Sequence, residues 1–198
     1  MQKLFKAIYF LPIILFCACH NKEVKHSRTL SNTQEFQPFF PVTDFLLGQL
    51  NEIDSMPVTP LKIIIDNGTR DSIWLKKSDI RPFAKPFLSP LIDSTSLHQF
   101  FGEESFMDQT INAVTLSYDP VNKLPDSMKL THWDVYVDPQ KGTVQRIYIV
   151  KEETANGATL TTQLTWKANK WCSIRTIEQQ SKMAPRIKEE ILKWEFDD

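Results

Sequence analysis

Residues 130–151, LTHWDVYVDPQKGTVQRIYIVK, contain two predicted strands and the turn that joins them. In the first strand, Trp133, Val135 and Val137 alternate with polar residues, which is the period of a half-buried strand. The segment DPQKG supplies a proline that opens a turn and a glycine, Gly142, that can adopt a positive φ. The β-branched residues that follow predict a return strand. This stretch therefore predicts a β-hairpin with one face buried.

The hairpin belongs to a longer run of predicted strands. Hydrophobic alternation predicts strands at residues 111–118, 130–137, 144–151, 160–166, 171–178 and 192–196. Asn156-Gly157 is a typical two-residue hairpin turn between two of them. Because consecutive strands with short connections pair as neighbours, the sequence predicts an antiparallel meander of about six strands, with one face that needs a cover.

Helices are predicted upstream of the meander. Residues 43–53 follow Pro41 and carry apolar side chains at helical spacing, so they predict an amphipathic helix that covers the sheet, with Trp133 and Trp166 in the core beneath it. Short serine-capped helices are predicted at 78–85 and 94–101, and a separate hairpin is predicted at 61–75 around Asn67-Gly68. The predicted fold class is α+β: an antiparallel meander sheet with an N-terminal amphipathic helix and short helices packed on one face.

The first 18 residues have the layout of a secretory signal peptide. Lys3 and Lys6 precede an apolar run, which is shorter than the roughly 20 residues that a membrane-spanning helix needs. Leu15-Phe16-Cys17-Ala18-Cys19 resembles a bacterial lipobox, with Phe16 where that family usually has leucine. The resemblance implies a lipoprotein signal peptide at residues 1–18 and a lipid anchor, such as palmitate, on Cys19. The alternative is an ordinary secreted protein that is cleaved near Ala18.

Residues 19–37 are polar and are predicted to form a flexible tether, because they bury too little apolar surface to offset the entropy of ordering. Residues 38–198 are then a single domain. The whole chain has a formal net charge of −1, and removing residues 1–18 takes away two lysines and no acids, leaving −3. This acidic balance argues against nucleic acid as a partner. Cys172 lies in an apolar strand and is predicted to be a buried thiol.

Motifs for catalysis or cofactors are not found in the sequence. The four histidines lack the spacing of metal ligands, and no glycine-rich phosphate loop occurs, so no metal and no cofactor are predicted. An alternative function is a periplasmic or surface hydrolase that uses the clustered carboxylates Glu103, Glu104 and Asp108 together with His132. The tryptophans could stack on a sugar, although their positions in alternating strands favour core packing: Trp74, Trp133, Trp166, Trp171 and Trp194.

Four short sites resemble the Asp-Ser acceptor motif of the O-glycosylation system of Bacteroidota. They are Asp54-Ser55-Met56, Asp71-Ser72-Ile73, Asp93-Ser94-Thr95 and Asp126-Ser127-Met128. The resemblance implies O-glycosylation of Ser55, Ser72, Ser94 and Ser127, whereas Asp-Ser pairs are also common in turns and helix caps. Together with the lipobox-like start, these sites make the chain resemble the small exported lipoproteins of that phylum, a resemblance that implies no particular activity.

The favoured function is therefore a non-enzymatic binding or structural module of the cell envelope. It would be anchored by Cys19 on the periplasmic face or at the surface of the outer membrane, with an envelope protein or a glycan as its partner.

Substitution of Cys19 tests the anchor. We expect Cys19→Ser to move the protein from the membrane fraction to the soluble fraction, because acyl chains at this residue are what would hold it in the bilayer. Partitioning into detergent measures this, with Cys172→Ser as the matched control that leaves partitioning unchanged. A Cys19→Ser protein that stays in the membrane fraction would show that the anchor lies elsewhere.

Overall fold

A computed structural model describes residues 38–92, 94–181 and 183–196. The predicted signal peptide at 1–18, the lipid-attachment site Cys19 and the tether at 19–37 lie outside these ranges. The helices are α1 (Val42–Ser55), α2 (Ile80–Ala84) and α3 (Ser94–Leu97), and short 3-10 turns occupy Lys77–Asp79 and Lys85–Leu88. The strands are β1 (Leu61–Asp66), β2 (Thr69–Trp74), β3 (Phe101–Asp108), β4 (Ala113–Pro120), β5 (Leu130–Val137), β6 (Val144–Ala155), β7 (Ala158–Lys167), β8 (Trp171–Gln180) and β9 (Arg186–Lys193).

All of these strands belong to one sheet. Its nine strands have the order β2-β1-β9-β8-β7-β6-β5-β4-β3, and every neighbouring pair is antiparallel. The predicted fold class, α+β with a sheet of about six strands and several helices packed on it, is therefore wrong. The described chain is mainly a single large antiparallel sheet, and α1, with 14 residues, is its one long helical element. The antiparallel pairing itself was predicted correctly.

The prediction missed the strand at one edge of the sheet and did not place the hairpin at the other edge. Residues 101–108 form the edge strand β3, and the helix predicted at 94–101 is limited to α3, Ser94–Leu97. Glu103 and Glu104 interrupt the apolar alternation by which a strand is recognised. The strand tolerates these charges because an edge strand has little burial on either side. At the other edge, the predicted hairpin around Asn67-Gly68 exists as β1 and β2, but it joins the same sheet through pairing of β1 with β9.

The predicted turns are confirmed. Gly142 has a φ of +66°, which is the left-handed region that glycine adopts without steric cost. Asn156 and Gly157 both have positive φ, as a tight hairpin of matching twist requires. The Asp138 carboxylate accepts the backbone N–H groups of Gln140 at 2.9 Å and Lys141 at 3.0 Å, so it organises the turn between β5 and β6.

The core lies between α1 and one face of the sheet, which confirms the predicted helix and the predicted burial of Trp133 and Trp166. Both tryptophan side chains are fully buried and belong to the same apolar cluster as Leu46 and Leu50 of α1. The ring of Trp133 stacks on Tyr118, with ring centroids 4.5 Å apart. Cys172 is also fully buried in this cluster, and burial raises the pKa of its thiol, so its predicted role as an inert core residue is consistent with the structure.

Polar side chains on the buried face of α1 fix the surrounding loops. The Thr43 hydroxyl accepts the backbone N–H of Ile92 at 2.9 Å, and the Gln49 side-chain oxygen accepts the backbone N–H of Asn169 at 2.8 Å. The second contact ties the helix to the turn between β7 and β8. In the described ranges, no helix has the length and the apolar character needed to cross a membrane.

Candidate functional site

The two faces of the sheet differ in composition. The face under α1 carries the apolar core, and the opposite face, here called the outer face, carries the alternate residues of each strand. Trp166 and Leu164 of β7 lie in the core cluster, so Thr165 and Lys167 belong to the outer face. Ile63, which is buried but is not part of the core cluster, also lies on the outer face. The outer face is thus the side of the sheet that α1 does not cover.

The strand register arranges outer-face residues in rows that cross the sheet. One row, here called the basic row, consists of Trp74, Leu61, Lys193, Trp171, Lys167, Arg146, Tyr136, Thr115 and Phe106. It takes one residue from every strand. Because neighbouring strands lie about 4.8 Å apart, Lys193, Lys167 and Arg146 fall within roughly 15 Å of one another. Aromatic residues stand among these three cations and at both ends of the row, which gives an extended surface that is both positively charged and aromatic.

Arg146 of the basic row contacts an aromatic ring and repels the neighbouring cation Lys167. The Arg146 guanidinium lies over the ring of Tyr136, with 4.0 Å from its central carbon to the ring centroid. Burial, together with repulsion from Arg146 and Lys170, lowers the pKa of Lys167. A lysine whose positive charge is disfavoured by its surroundings is stabilised when an anion binds beside it. This part of the outer face is therefore suited to negatively charged groups.

A histidine network borders the basic row. The Nδ1 atom of His132 lies 2.8 Å from Oδ1 of Asp119, and its Nε2 atom lies 3.2 Å from Oδ1 of Asp134. The Tyr136 hydroxyl donates to Oδ2 of Asp134 at 2.9 Å. Asp134 is almost fully buried, and Ser117 on the neighbouring strand also donates to it. The network therefore links β4 and β5 and holds the Tyr136 ring, on which Arg146 rests.

The charges of this network are set by its hydrogen bonds. The bond to Asp134, opposed by burial and aided by the bond to Asp119, raises the pKa of His132 to about 9. Burial alone would raise the pKa of Asp134, but the bonds from His132 and Ser117 and the charge of His132 lower it. Burial and the adjacent Asp134 raise the pKa of Tyr136 to about 12. At neutral pH, His132 is thus a cation between two carboxylates, with both ring nitrogens donating.

That protonation state limits the chemistry available here. An imidazolium whose two N–H groups are already donated has no lone pair with which to accept a proton, so it cannot act as a general base at neutral pH. Its physical role is to keep Asp134, and through it Tyr136, in one position. The arrangement therefore fixes the Tyr136 ring and the Arg146 guanidinium that lies on it.

The acids proposed for a hydrolase are not among the ion-pair partners of His132 in the described ranges. Glu103 and Glu104 are consecutive in β3 and therefore point to opposite faces. Glu103 is hydrogen-bonded to Tyr118 on the core side, whereas Glu104 lies on the outer face opposite Ser117. Asp108 accepts hydrogen bonds from the backbone and the side chain of Thr110 in the following turn.

The partners of His132 were missed by sequence reasoning. Within the described ranges, its ion pairs are with Asp119 and Asp134. His132 and Asp134 are two residues apart in a strand, so both lie on one face. This spacing is the feature of the sequence that could have indicated the pair. Asp119 comes from the neighbouring strand and becomes a partner only when the register of β4 and β5 is known.

The five tryptophans have different environments. Trp133, Trp166 and Trp194 are buried in the core, which confirms the core interpretation for these three. Trp171 is half-buried on the outer face, and Trp74, at 61% exposure, is open at the end of the basic row, where its ring lies 5.8 Å from that of Phe196. A tryptophan surface for a ligand is therefore limited to Trp74 and Trp171.

The predicted glycosylation sites lie at different places in the fold. Ser55 at the end of α1, Ser127 in the loop before β5 and Ser72 on the edge strand β2 are exposed. Ser94 begins α3, and its side chain and the preceding Asp93 lie outside the described part of the structure. Modification of these four residues stays a prediction.

Comparison with protein-family models, with curated proteins and with solved structures gives no match. In the described ranges, no group of three or more histidine, cysteine or acidic side chains is arranged to hold a metal ion.

Replacement of His132 tests the histidine network. The folded pKa of His132, about 9, exceeds its ordinary value of 6.5, so its ion pairs stabilise the fold fully below about pH 6.5 and are lost as the pH rises through 9. We expect His132→Gln to lower the free energy of unfolding by about 1–2 kcal/mol at pH 6 and by much less at pH 9.5. Urea unfolding of both proteins across this range measures the difference, and a difference that does not depend on pH would contradict the assigned charges.

Proposed function

We propose that this chain is a lipid-anchored protein of the cell envelope that binds an acidic glycan on the outer face of its sheet. The observation that carries the proposal is the basic row, in which Trp171 and Tyr136 stand beside the three cations Lys193, Lys167 and Arg146 on consecutive strands. Sugar rings stack on exposed aromatic faces, and carboxylates or sulfates pair with lysine and arginine. A polymer of acidic sugars offers both kinds of group at regular intervals.

The histidine network supports this proposal by pre-organising one end of the row. Tyr136 is hydrogen-bonded to Asp134, and Arg146 lies on the Tyr136 ring, so two ligand-facing groups are positioned before a ligand arrives. Less conformational entropy is then lost on binding. The anchor rests on the lipobox-like sequence at Cys19, and the extension of the row across all nine strands suits a long partner more than a small molecule.

Binding of polygalacturonate, a polymer of carboxylated sugars, tests the proposal. We expect the protein to bind this polymer and not neutral dextran, and we expect the double variant Arg146→Gln, Lys167→Gln to weaken binding at least about tenfold, because each lost ionic contact is worth roughly 1 kcal/mol or more. Microscale thermophoresis at two salt concentrations measures the affinity, which should fall as salt rises.

Two controls make the result specific. Lys123→Gln removes an exposed lysine from a loop away from the row and should leave the affinity unchanged. Poly-glutamate carries the charge without the sugar rings. If poly-glutamate binds as tightly as polygalacturonate, or if the double variant binds as well as the unaltered protein, the assignment of an acidic glycan to this row is wrong.

A further inference from the structure

The core face of the sheet is not covered along its whole length. The buried row of Ile149 and Leu164 is followed, two residues further along each strand, by a row of Lys151, Thr162 and Thr176. The helical segment that covers the sheet at this point ends near Pro86 and Ser89. Beyond it lies a cavity of about 290 Å³, and a second cavity of about 430 Å³ adjoins it. The volumes of both cavities lie near the lower end of the range found for small-molecule binding sites.

The two cavities meet at Lys151, because Lys151 and Lys129 line both of them. The ammonium group of Lys151 donates hydrogen bonds to the backbone carbonyls of Pro86 and Ser89. These contacts fix the charged group at the junction of the two cavities. An ammonium carries three N–H donors, and two carbonyls use two of them.

The charge of Lys151 lacks a carboxylate partner among the described ion pairs. Glu153, two residues along the same strand, is paired with Lys129, and Glu152 also lines the first cavity. Burial lowers the pKa of Lys151 to about 8, and no acid opposes that effect. A partly buried cation that is held by neutral carbonyls is stabilised when an anion binds beside it.

The walls on either side of this cation are largely apolar. Pro86, Leu160 and Ile174 line the first cavity together with Thr162 and Thr176, whose methyl groups add apolar surface. Pro90, Leu97 and Met128 line the second. A ligand that fits has an apolar body and one negatively charged group at the position of Lys151.

We infer that this pair of cavities binds a medium-chain carboxylic acid, with its carboxylate on Lys151 and its alkyl chain along the cavity walls. The site lies on the opposite face of the sheet from the basic row and is independent of the function proposed for that row. The apolar walls supply affinity in proportion to the chain that they remove from water, and the lysine selects for the acidic head group.

Calorimetric titration with decanoate and with decanol, which share a ten-carbon chain, tests the inference. The full chain carrying Cys19→Ser serves as the starting protein, so that no attached acyl chain competes. We expect decanoate to bind more tightly than decanol. Lys151→Met should weaken decanoate binding at least about tenfold and change decanol binding less than about twofold, because it removes the charge and keeps an apolar side chain of similar length.

Two further variants keep the test independent of effects on folding. Lys141→Met removes an exposed lysine from the turn between β5 and β6 and should leave both affinities unchanged. Leu160→Trp keeps Lys151 but fills the first cavity, so it should weaken both ligands. The inference is overturned if decanoate does not bind at about 1 mM, if decanoate binds no better than decanol at concentrations where both dissolve, or if Leu160→Trp leaves decanoate affinity unchanged.

Discussion

The packing of α1 on Trp133 and Trp166 is the interaction on which the rest of the structure depends. Both indole rings are fully buried, yet in the described part of the chain their N–H groups find no hydrogen-bond partner. An unpaired buried N–H costs about 1–3 kcal/mol. Burial of 150–250 Å² of aromatic surface gains roughly 4–6 kcal/mol, so apolar packing outweighs the lost hydrogen bonds. The fold is thus held by apolar contact among the aromatic rings and the α1 side chains that share this core.

This constraint explains why the outer face is polar and chemically distinctive. One helix of 14 residues covers only one side of a nine-stranded sheet, so every second residue of each strand faces away from the core. Those positions hold Lys167, Arg146 and the histidine network, which Tyr136 connects to Arg146 through its ring and its hydroxyl. The same helical cover is too short to reach the far end of the core face, and the uncovered part is where Lys151 and its two cavities lie.

The sequence correctly predicted those elements whose conformation depends on residues close together in the chain. Asn156-Gly157 and Gly142 require positive φ, and α1 carries its apolar stripe at helical spacing, so both kinds of element were predicted correctly. β3 was missed because an edge strand need not alternate, and its acids point to two different faces. The basic row and the site of Lys151 depend on register across many strands. Pairs such as Arg146 and Lys167 are far apart in the chain, and no spacing in the sequence indicates that they are neighbours.

Adjacent residues of the middle strands point to opposite faces of the sheet: the core face stabilises the fold, and the outer face is the proposed binding surface. The free energy of unfolding of Trp166→Ala and of its neighbour Thr165→Ala, measured by urea titration, tests this most directly. We predict a loss of about 3–5 kcal/mol for Trp166→Ala and of less than about 1 kcal/mol for Thr165→Ala, because only the first opens a cavity under α1. Equal losses for the two variants, or a loss below about 1 kcal/mol for Trp166→Ala, would contradict the assignment of the faces.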